Sequence, residues 1–462
     1  MNLRHPKDWL PELKGLLFLA TPLIVNNLAL AGMGLADTLM SGRLGAESQA
    51  AVGVGSSVWM LFFLVALGVL MAISPIGSAH RGAGRGHLIG RYARQGFWLS
   101  LGLSTAAVLT MIFVAVPGLS VIGIDPSFRP LAGGYLIGIV CGAPAGFAYL
   151  VLRYTTEAIG WTRPVMFVSV SALPVNVFFN YVLMFGKLGA PELGAAGAGY
   201  ASAITMWYMF FALLTFMLLH KRYRSFDIFS LGRGPQWQEM REILALGLPI
   251  MVSIIAEAGL FGAVALLMGK LSAEIAAGHL VATNYATTMF MVPMGINGAL
   301  TVLVSNAMGQ GDIALARFRG KLGILCCTGF MMVSALGLLL FRETIVGWYT
   351  QDPMVVEVAI SLLLVAAVFQ VSDGIQVGAA GALRGLHDTR MPMYLTTFSY
   401  WVIGFPMAYA AALPLAMSPP MIWAGFVAGL TVAAILLVSR FLWISKQETR
   451  LLANAGHRAK VS

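Results

Sequence analysis

The stretch SGRLGAE (Ser41–Glu47) returns 227 positions later as MGKLSAE (Met268–Glu274). The same shift, without a gap, places Pro22 on Pro249, Gly68 on Gly295, Gly82 on Gly309, Gly84 on Gly311, Arg94 on Lys321, Asp125-Pro126 on Asp352-Pro353 and Thr162-Arg163 on Thr389-Arg390. Near the end the register slips by one residue, where AGYASAIT from Ala198 matches AGFVAGLT from Ala424. The chain is therefore an internal duplication, and each half should form one copy of the same unit.

Both halves are strongly apolar. Of the 462 residues 58% are hydrophobic and 10% are charged, with a mean hydropathy of +0.82, whereas soluble domains carry about 25% charged residues. A helix needs about 20 apolar residues to cross the hydrocarbon core of a bilayer. Twelve such stretches begin near Leu16, Ala51, Gly96, Leu131, Val165, Gly194, Ile243, Ala276, Leu322, Met354, Met391 and Pro420. The composition predicts an all-α polytopic membrane protein.

Each copy of the repeat contains six of these stretches. Because six is even, both copies enter the membrane in the same orientation, which is the parallel-repeat plan of some secondary transporters. We expect twelve transmembrane helices in two parallel six-helix repeats with a central cleft. The predicted lobes are residues 1–230 and 231–462, divided within the basic segment His220–Glu242. Duplication that served only to enlarge a helix bundle is the alternative.

The net charge of +10 is distributed unevenly. The two tails and the even-numbered loops hold 24 Lys and Arg residues, and the odd-numbered loops hold 5. This is the positive-inside pattern, and it predicts that both termini are cytoplasmic. The distribution indicates the lipid bilayer as a partner and argues against nucleic acid.

Three of the 19 acidic residues lie within apolar segments: Asp37, Glu257 and Asp373. Their counterparts in the repeat are Val264, Leu30 and Gly146. The repeat therefore preserves architecture but not these charges. A structural ion pair is the ordinary explanation of an intramembrane carboxylate. Every Lys and Arg, however, is expected in a tail, a loop or the last turn of a span, which leaves Arg43 as the nearest candidate partner, for Asp37.

The depths of the three acids can be estimated from a rise of about 1.5 Å per residue. Glu257 lies about 21 Å from the cytoplasmic start of its helix, and Asp373 about 16 Å from the cytoplasmic end of its own. These two carboxylates can therefore meet. Asp37 lies about 34 Å along its helix, toward the outer leaflet, so it is expected to form a separate site.

Uncharged polar residues lie at helical spacing near these acids. They are Asn26 three turns before Asp37, Ser253 one turn before Glu257, Gln370 and Gln376 on either side of Asp373, and Asn176 with Asn180 in LPVNVFFNYVL. Such groups also act simply as contacts between membrane helices. Around a carboxylate, their oxygen atoms suit a proton, a hard cation or an organic cation.

Motifs for ATP hydrolysis, metalloprotease and serine hydrolase chemistry are absent from the sequence. We expect no enzymatic activity and no cofactor, and an ion gradient as the source of energy.

Four segments together resemble the NorM-type branch of the multidrug and toxic compound extrusion (MATE) family. They are PLIVNNLALAGMGLADTLMSGRLGA (22–46), PIMVSIIAEAGLF (249–261), LPVNVFFNYVL (173–183) and SDGIQVGAAGALRGLHDTRMP (372–392). The resemblance implies a V-shaped, two-lobed exporter of the bacterial cytoplasmic (inner) membrane, with small-molecule drugs as partners. It would exchange hydrophobic, often cationic drugs and dyes for Na⁺ or H⁺, and we expect a monomer.

The resemblance also assigns roles to particular positions. Asp37 is similar to the N-lobe carboxylate of the family, faced by Asn176 and Asn180, while Glu257 and Asp373 are similar to the C-lobe cation site. A proton-driven branch has an aspartate where Asn180 stands, which favours sodium.

Two other functions stay open at this point. A flippase for lipid-linked saccharides shares a related architecture, but it should carry cationic residues in its cleft. An intramembrane acid–base enzyme acting through Glu257 and Asp373 would need a nucleophile or metal motif that the sequence lacks.

This sequence also departs from the family pattern at Phe369. Some NorM-type relatives carry a tyrosine there, one turn before the aspartate that corresponds to Asp373, and phenylalanine removes that possible oxygen ligand.

Overall fold

A computed structural model describes residues 9–121, 123–229, 234–415 and 417–461, with side chains up to residue 447. The described residues form helices and their connections, without a β-strand. The first half contains α1 (Trp9–Gly42), α2 (Ala46–Leu70), α3 (Ile73–Gly82), α4 (His87–Thr110), α5 (Val116–Val121), α6 (Arg129–Val140), α7 (Ala143–Ala158), α8 (Arg163–Met184) and α9 (Gly194–Leu219). A π-helical turn, Met111–Ala115, joins α4 to α5.

A short 3₁₀ helix, Lys221–Phe226, follows α9. The second half then contains α10 (Trp237–Leu271), α11 (Ala273–Gly309), α12 (Ile313–Gly347), α13 (Pro353–Gly385), α14 (Arg390–Phe398), α15 (Phe405–Ala412) and α16 (Pro419–Val461). A second π-helical segment, Ser399–Gly404, joins α14 to α15.

The helices match the predicted membrane spans. Within the described residues, ten helical segments are long and apolar enough to cross a membrane, and α6 with α7 form an eleventh that bends by 47°. The predicted span from Met391 corresponds to α14, the π-helical segment and α15 in succession. The predicted all-α membrane fold of twelve helices in two repeats is confirmed.

The chain divides into two compact units whose limits fall inside helices. One unit contains Met1–Ile24 and Val252–Ser462, and the other contains Val25–Met251. Hence α1 and α10 each begin in one unit and end in the other. The predicted limit at 230/231 lies outside the described residues. The observed limits, after Ile24 and after Met251, are 227 positions apart and so respect the repeat.

Contacts to α4 explain why the start of α10 belongs with the first half of the chain. Arg91 on α4 forms an ion pair with Glu239 on α10. The Gln95 side-chain oxygen accepts a hydrogen bond from the Gln236 backbone N–H at 2.8 Å. In the other unit, α13 packs against α11, α12 and α16, which places this helix at the centre of that bundle.

Candidate functional site

The carboxylate of Asp37 lies five residues before the end of α1, among uncharged donors. Its Oδ1 accepts a hydrogen bond from Asn180 Nδ2 at 2.6 Å, and its Oδ2 accepts one from Ser202 Oγ at 3.0 Å. Asn180 Nδ2 also donates to Asn176 Oδ1 at 3.2 Å. All four side chains are buried. The structure thus brings Asn176 and Asn180 to Asp37, as the sequence predicts.

Ser202, on α9, is the member of this group that the sequence does not predict. It lies 165 positions from Asp37, in the repeated segment AGYASAIT, where small residues signal close helix packing rather than a ligand. Arg43 is exposed, and within the described residues no Lys or Arg forms an ion pair with Asp37. Neutral hydrogen-bond donors alone stabilise this buried carboxylate, which leaves it able to accept a cation or a proton.

Asn26 takes part in a different network. Its amide oxygen faces Arg153 at 3.3 Å and its amide nitrogen faces Ser169 Oγ at 3.2 Å, in the orientation that satisfies both neighbours. Arg153 also forms an ion pair with Glu157 at 2.9 Å, and both residues are buried. The expectation that Lys and Arg stay in tails, loops and last turns is therefore wrong for Arg153, because Glu157 one turn later neutralises it within the helix bundle.

In the other unit, α10 and α13 bring Glu257 and Asp373 close enough to interact electrostatically. Glu257 is half-buried, and Asp373 is only 4% exposed. The Gln376 amide, one turn after Asp373, interacts with the Glu257 carboxyl. Arg384 also acts on Glu257 electrostatically, but its guanidinium donates a hydrogen bond to Asn297 Oδ1 at 3.1 Å. The two predicted carboxylates therefore form one group.

The π-helical segment Ser399–Gly404 adds Tyr400 to this group. Its ring is fully buried, and its phenol interacts electrostatically with both carboxylates. The next residue fixes the position of the segment, because Trp401 Nε1 donates a hydrogen bond to the carbonyl of Ala256 at 3.1 Å. π-Helical turns occur frequently at functional sites, but hydropathy does not reveal them. The sequence pattern therefore does not reveal Tyr400 as a member of the site.

Several polar atoms of this group have no hydrogen-bond partner in the described part of the chain. They are Asp373 Oδ1, Gln376 Oε1, Tyr400 Oη and Gln370 Nε2. Buried polar atoms are normally paired, so such a cluster needs an explanation. Three of the four atoms are oxygens, one of them in the Asp373 carboxylate, and oxygen is the ligand type of a hard cation. The described residues contain no group of three or more His, Cys, Asp or Glu side chains that could hold a metal ion.

The remaining predicted residues lie around this cluster. Gln370 Oε1 accepts a hydrogen bond from Ser334 Oγ at 3.2 Å. Ser253 is half-buried on α10, one turn before Glu257. Phe369 packs against Phe261 and Trp423, so its ring belongs to an apolar cluster and contributes no oxygen.

Comparison with known proteins agrees with the repeat. The family model MatE matches the chain twice, at residues 22–182 and 249–410. "Probable multidrug resistance protein NorM" of Xanthomonas axonopodis pv. citri is 40% identical over 93% of this chain and 94% of its own length. "Multidrug resistance protein PmpM" of Pseudomonas aeruginosa is 38% identical, covering 93% and 91%. "Multidrug resistance protein MdtK" of Yersinia pseudotuberculosis is 37% identical, covering 98% and 100%.

Solved structures show the same fold at lower identity. The eukaryotic MATE transporter AtDTX14 superposes with a TM-score of 0.84 at 21% identity, over 96% of this chain and 98% of its own. A MATE protein in complex with MaL6 gives a TM-score of 0.88 at 20% identity, covering 95% and 97%. With the two matches to the family model and the full-length relatives, the chain belongs to the MatE family, in the NorM-type branch of multidrug and toxic compound extrusion proteins.

Proposed function

We propose that this chain is a multidrug efflux antiporter, which exports hydrophobic, often cationic drugs in exchange for Na⁺ or H⁺. The observation that carries the coupling is the cluster around Glu257 and Asp373, with its unpaired Asp373, Gln376 and Tyr400 oxygens. The names of the relatives support multidrug efflux. The cluster supports an exchangeable cation, because a permanent internal partner would have satisfied those atoms.

The exchange follows from electrostatics. Two carboxylates that interact inside a protein repel each other when both are ionised, and a bound monovalent cation or proton removes that repulsion. Occupation therefore stabilises the close approach of α10, which carries Glu257, to α13, which carries Asp373. Departure of the cation restores the repulsion and favours another arrangement of these helices. A ligand that discriminates between two arrangements shifts their populations.

Asp37 forms the second proposed site. Its single carboxylate accepts hydrogen bonds from Asn180 and Ser202. Unlike the paired Glu257 and Asp373, it carries at most one negative charge, which suits a proton, a cation or the ammonium group of a drug. Asn180 is neutral, so the carboxylate of Asp37 is not shared with a second acid there. We therefore propose Na⁺ as the coupling ion, bound by Glu257 and Asp373, with H⁺ as the alternative.

Alternating access between two lobes, predicted as 1–230 and 231–462, completes the proposal. The protein would work as a monomer in the bacterial inner membrane, with both termini cytoplasmic, as the positive-inside pattern predicts. The repeat gives two similar lobes, while the three acidic residues that differ between them give each lobe its own chemistry.

Drug efflux from proteoliposomes tests the coupling. A Na⁺ gradient at equal pH and a pH gradient at equal Na⁺ are imposed separately on the purified protein. We expect efflux with the Na⁺ gradient. Efflux with the pH gradient alone would assign the coupling to H⁺, and drug efflux with neither gradient would contradict the antiporter.

Substitution of each proposed carboxylate tests whether it takes part in coupling. Glu257→Gln, Asp373→Asn and Asp37→Asn should each lower coupled efflux by about tenfold or more, since contacts to a charged group are worth about 1.5–3 kcal/mol. Glu357→Gln is the matched control, because Glu357 is an exposed carboxylate on the same helix as Asp373. Normal coupled efflux from all three site variants would refute the proposed sites.

The two other functions that the sequence leaves open are less well supported. A flippase would need a cationic group for a pyrophosphate, and Arg153, the buried arginine of the N-terminal half, is already paired with Glu157. The relatives are named multidrug resistance proteins, and AtDTX14, which shares the fold, is named a MATE transporter, which supports a non-enzyme role. Product analysis of the purified protein after incubation with drug would reveal any chemical conversion.

A further inference from the structure

Two polar contacts connect α1 to α8, and they have the same spacing on both helices. Asn26 contacts Ser169 at 3.2 Å, and Asp37 contacts Asn180 at 2.6 Å. Eleven residues separate Asn26 from Asp37, and eleven also separate Ser169 from Asn180. Eleven residues are about three helical turns, or roughly 16 Å. We call these the lower contact (Asn26–Ser169) and the upper contact (Asp37–Asn180).

Between the two contacts the helices pack side by side. A Cβ atom on Gly32 would lie 3.6 Å from Leu173 Cδ1, at ordinary van der Waals distance. Leu30 and Met33 on α1 belong to the same apolar cluster as Ala172 and Leu173 on α8. Although α8 contains Pro174 between the two contacts, close-packed interiors transmit strain, so a shift of one helix along the other at the lower contact should reach the upper contact.

Arg153 on α7 holds the lower contact in place. Its Nε donates to Glu157 Oε1 at 2.9 Å, its second terminal nitrogen lies 3.5 Å from Asn27 Oδ1, and its first lies 3.3 Å from the Asn26 amide oxygen. The guanidinium thus connects α7 to two consecutive residues of α1. Through Asn26 it also fixes the amide that faces Ser169 on α8.

A guanidinium suits this task for a physical reason. It is planar, it remains charged, and its five N–H donors have fixed directions, so it can hold several acceptors in one geometry. A buried charge of this kind is tolerated because Glu157 neutralises it. The Ser169 hydroxyl donates to the Met166 carbonyl of its own helix at 3.0 Å and can only accept from Asn26, so it would not by itself define the register of two helices.

We propose that Arg153 is a positioning residue for the Asp37 site, because it sets the register of α1 against α8. The contacts of Arg153 are with Glu157, Asn26, Asn27 and the Tyr154 ring, and not with Asp37 or Asn180. It holds Asn26 against Ser169, three turns away, and so keeps Asn180 Nδ2 within hydrogen-bond distance of the Asp37 carboxylate. The role in transport rests on the proposed function of Asp37, whereas the effect on geometry does not.

A crosslinking experiment tests the geometry directly. Asp37→Cys and Asn180→Cys are combined in a chain whose three native cysteines are replaced by alanine, and mercuric ion is used to join the two thiols. The 37–180 crosslink is quantified by mass spectrometry. Adding Arg153→Met should slow crosslinking by about tenfold, since a displacement near 1 Å strongly affects reactions that need close approach. An unchanged rate in the folded protein would overturn the proposal.

Two further variants guard against misfolding and unspecific effects. Arg153→Met leaves Glu157 buried and unpaired, so Arg153→Met with Glu157→Gln removes both charges and should slow crosslinking equally. Arg319→Met is the matched control, because Arg319 forms a partly buried ion pair with Glu12 at 2.8 Å in the other unit. Equal slowing by Arg319→Met would show a general loosening and would also overturn the proposal.

Transport gives an independent readout through a double-mutant cycle. Arg153→Lys keeps the positive charge but removes the planar guanidinium with its fixed N–H donors. It should therefore lower efflux. In an Asn180→Ala background the same change should have little further effect, because the contact that Arg153 positions is already gone. If Arg153→Lys lowers efflux by the same factor in the Asn180→Ala background as in the wild type, the two residues act independently. That result would refute positioning through Asn180. If Asp37→Asn transports normally, the proposed function of Asp37 fails, and the crosslinking result still decides the role of Arg153.

Discussion

Gly68 packs directly onto the backbone of Met251, where a Cβ atom on the glycine would lie 2.4 Å from the Met251 Cα. The repeat counterparts have the same relationship, because a Cβ atom on Gly295 would lie 2.7 Å from the Ile24 nitrogen. Each contact joins a helix of one half of the chain to a helix of the other half, α2 with α10 and α11 with α1. The two compact units thus each contain the beginning of a helix whose end lies in the other.

Gly68→Ala and Gly295→Ala should each destabilise the protein by about 1–3 kcal/mol, because a methyl group has no room against a neighbouring backbone. Thermal unfolding in detergent measures the effect. Gly53→Ala on α2 is the control: its Cβ position is open, and alanine favours a helix by about 1 kcal/mol over glycine. Equal melting temperatures for Gly68→Ala and Gly53→Ala would contradict the packing argument.

Gly259→Ala should weaken the apparent affinity for the coupling cation. A Cβ atom there would lie 2.9 Å from Trp401 Cζ2, so the indole must move and its hydrogen bond to the Ala256 carbonyl is strained. Tyr400 would move with it, away from Glu257 and Asp373. The concentration of Na⁺ that half-activates efflux should rise several-fold. Gly262→Ala, where the Cβ position is open on the same helix, should leave this concentration unchanged.

Ser202→Ala should lower coupled efflux by about tenfold, since a hydrogen bond to a charged group contributes about 1.5–3 kcal/mol. Ser202→Thr keeps the hydroxyl and should retain more activity than alanine. Thr205→Val is the control, because the Thr205 hydroxyl donates to the Ala201 carbonyl of its own helix rather than to Asp37. An alanine variant as active as wild type would remove Ser202 from the site.

Tyr223 predicts a pH dependence of stability outside the membrane spans. Burial raises the pKa of the Tyr223 phenol from its usual 10 to about 12. The folded protein therefore retains this proton in a range where the unfolded chain releases it, and stability should fall as the pH rises from 10 to about 12. Thermal unfolding at pH 9 and pH 11 should show a smaller decrease for Tyr223→Phe than for wild type. A decrease of equal size in both proteins would exclude this role.

The sequence by itself determined the repeat, the helical membrane fold and the three intramembrane acids. These properties are local or additive: hydropathy is summed over a single segment, and a duplication is visible as a fixed shift. The spacing of residues along α8 was also sufficient to place Asn176 beside Asn180, since one helical turn separates them. The meeting of Glu257 with Asp373 followed from their similar depths.

Only the tertiary structure decided which other side chains meet these acids. Ser202 reaches Asp37 across 165 positions, and Tyr400 reaches Glu257 through a π-helical segment. The pairing of Arg153 with Asn26 and Asn27, and the limits of the two units inside α1 and α10, are of the same kind. Each depends on how a helix is rotated about its axis and on which distant helix packs beside it. Hydropathy and repeat spacing do not contain that information.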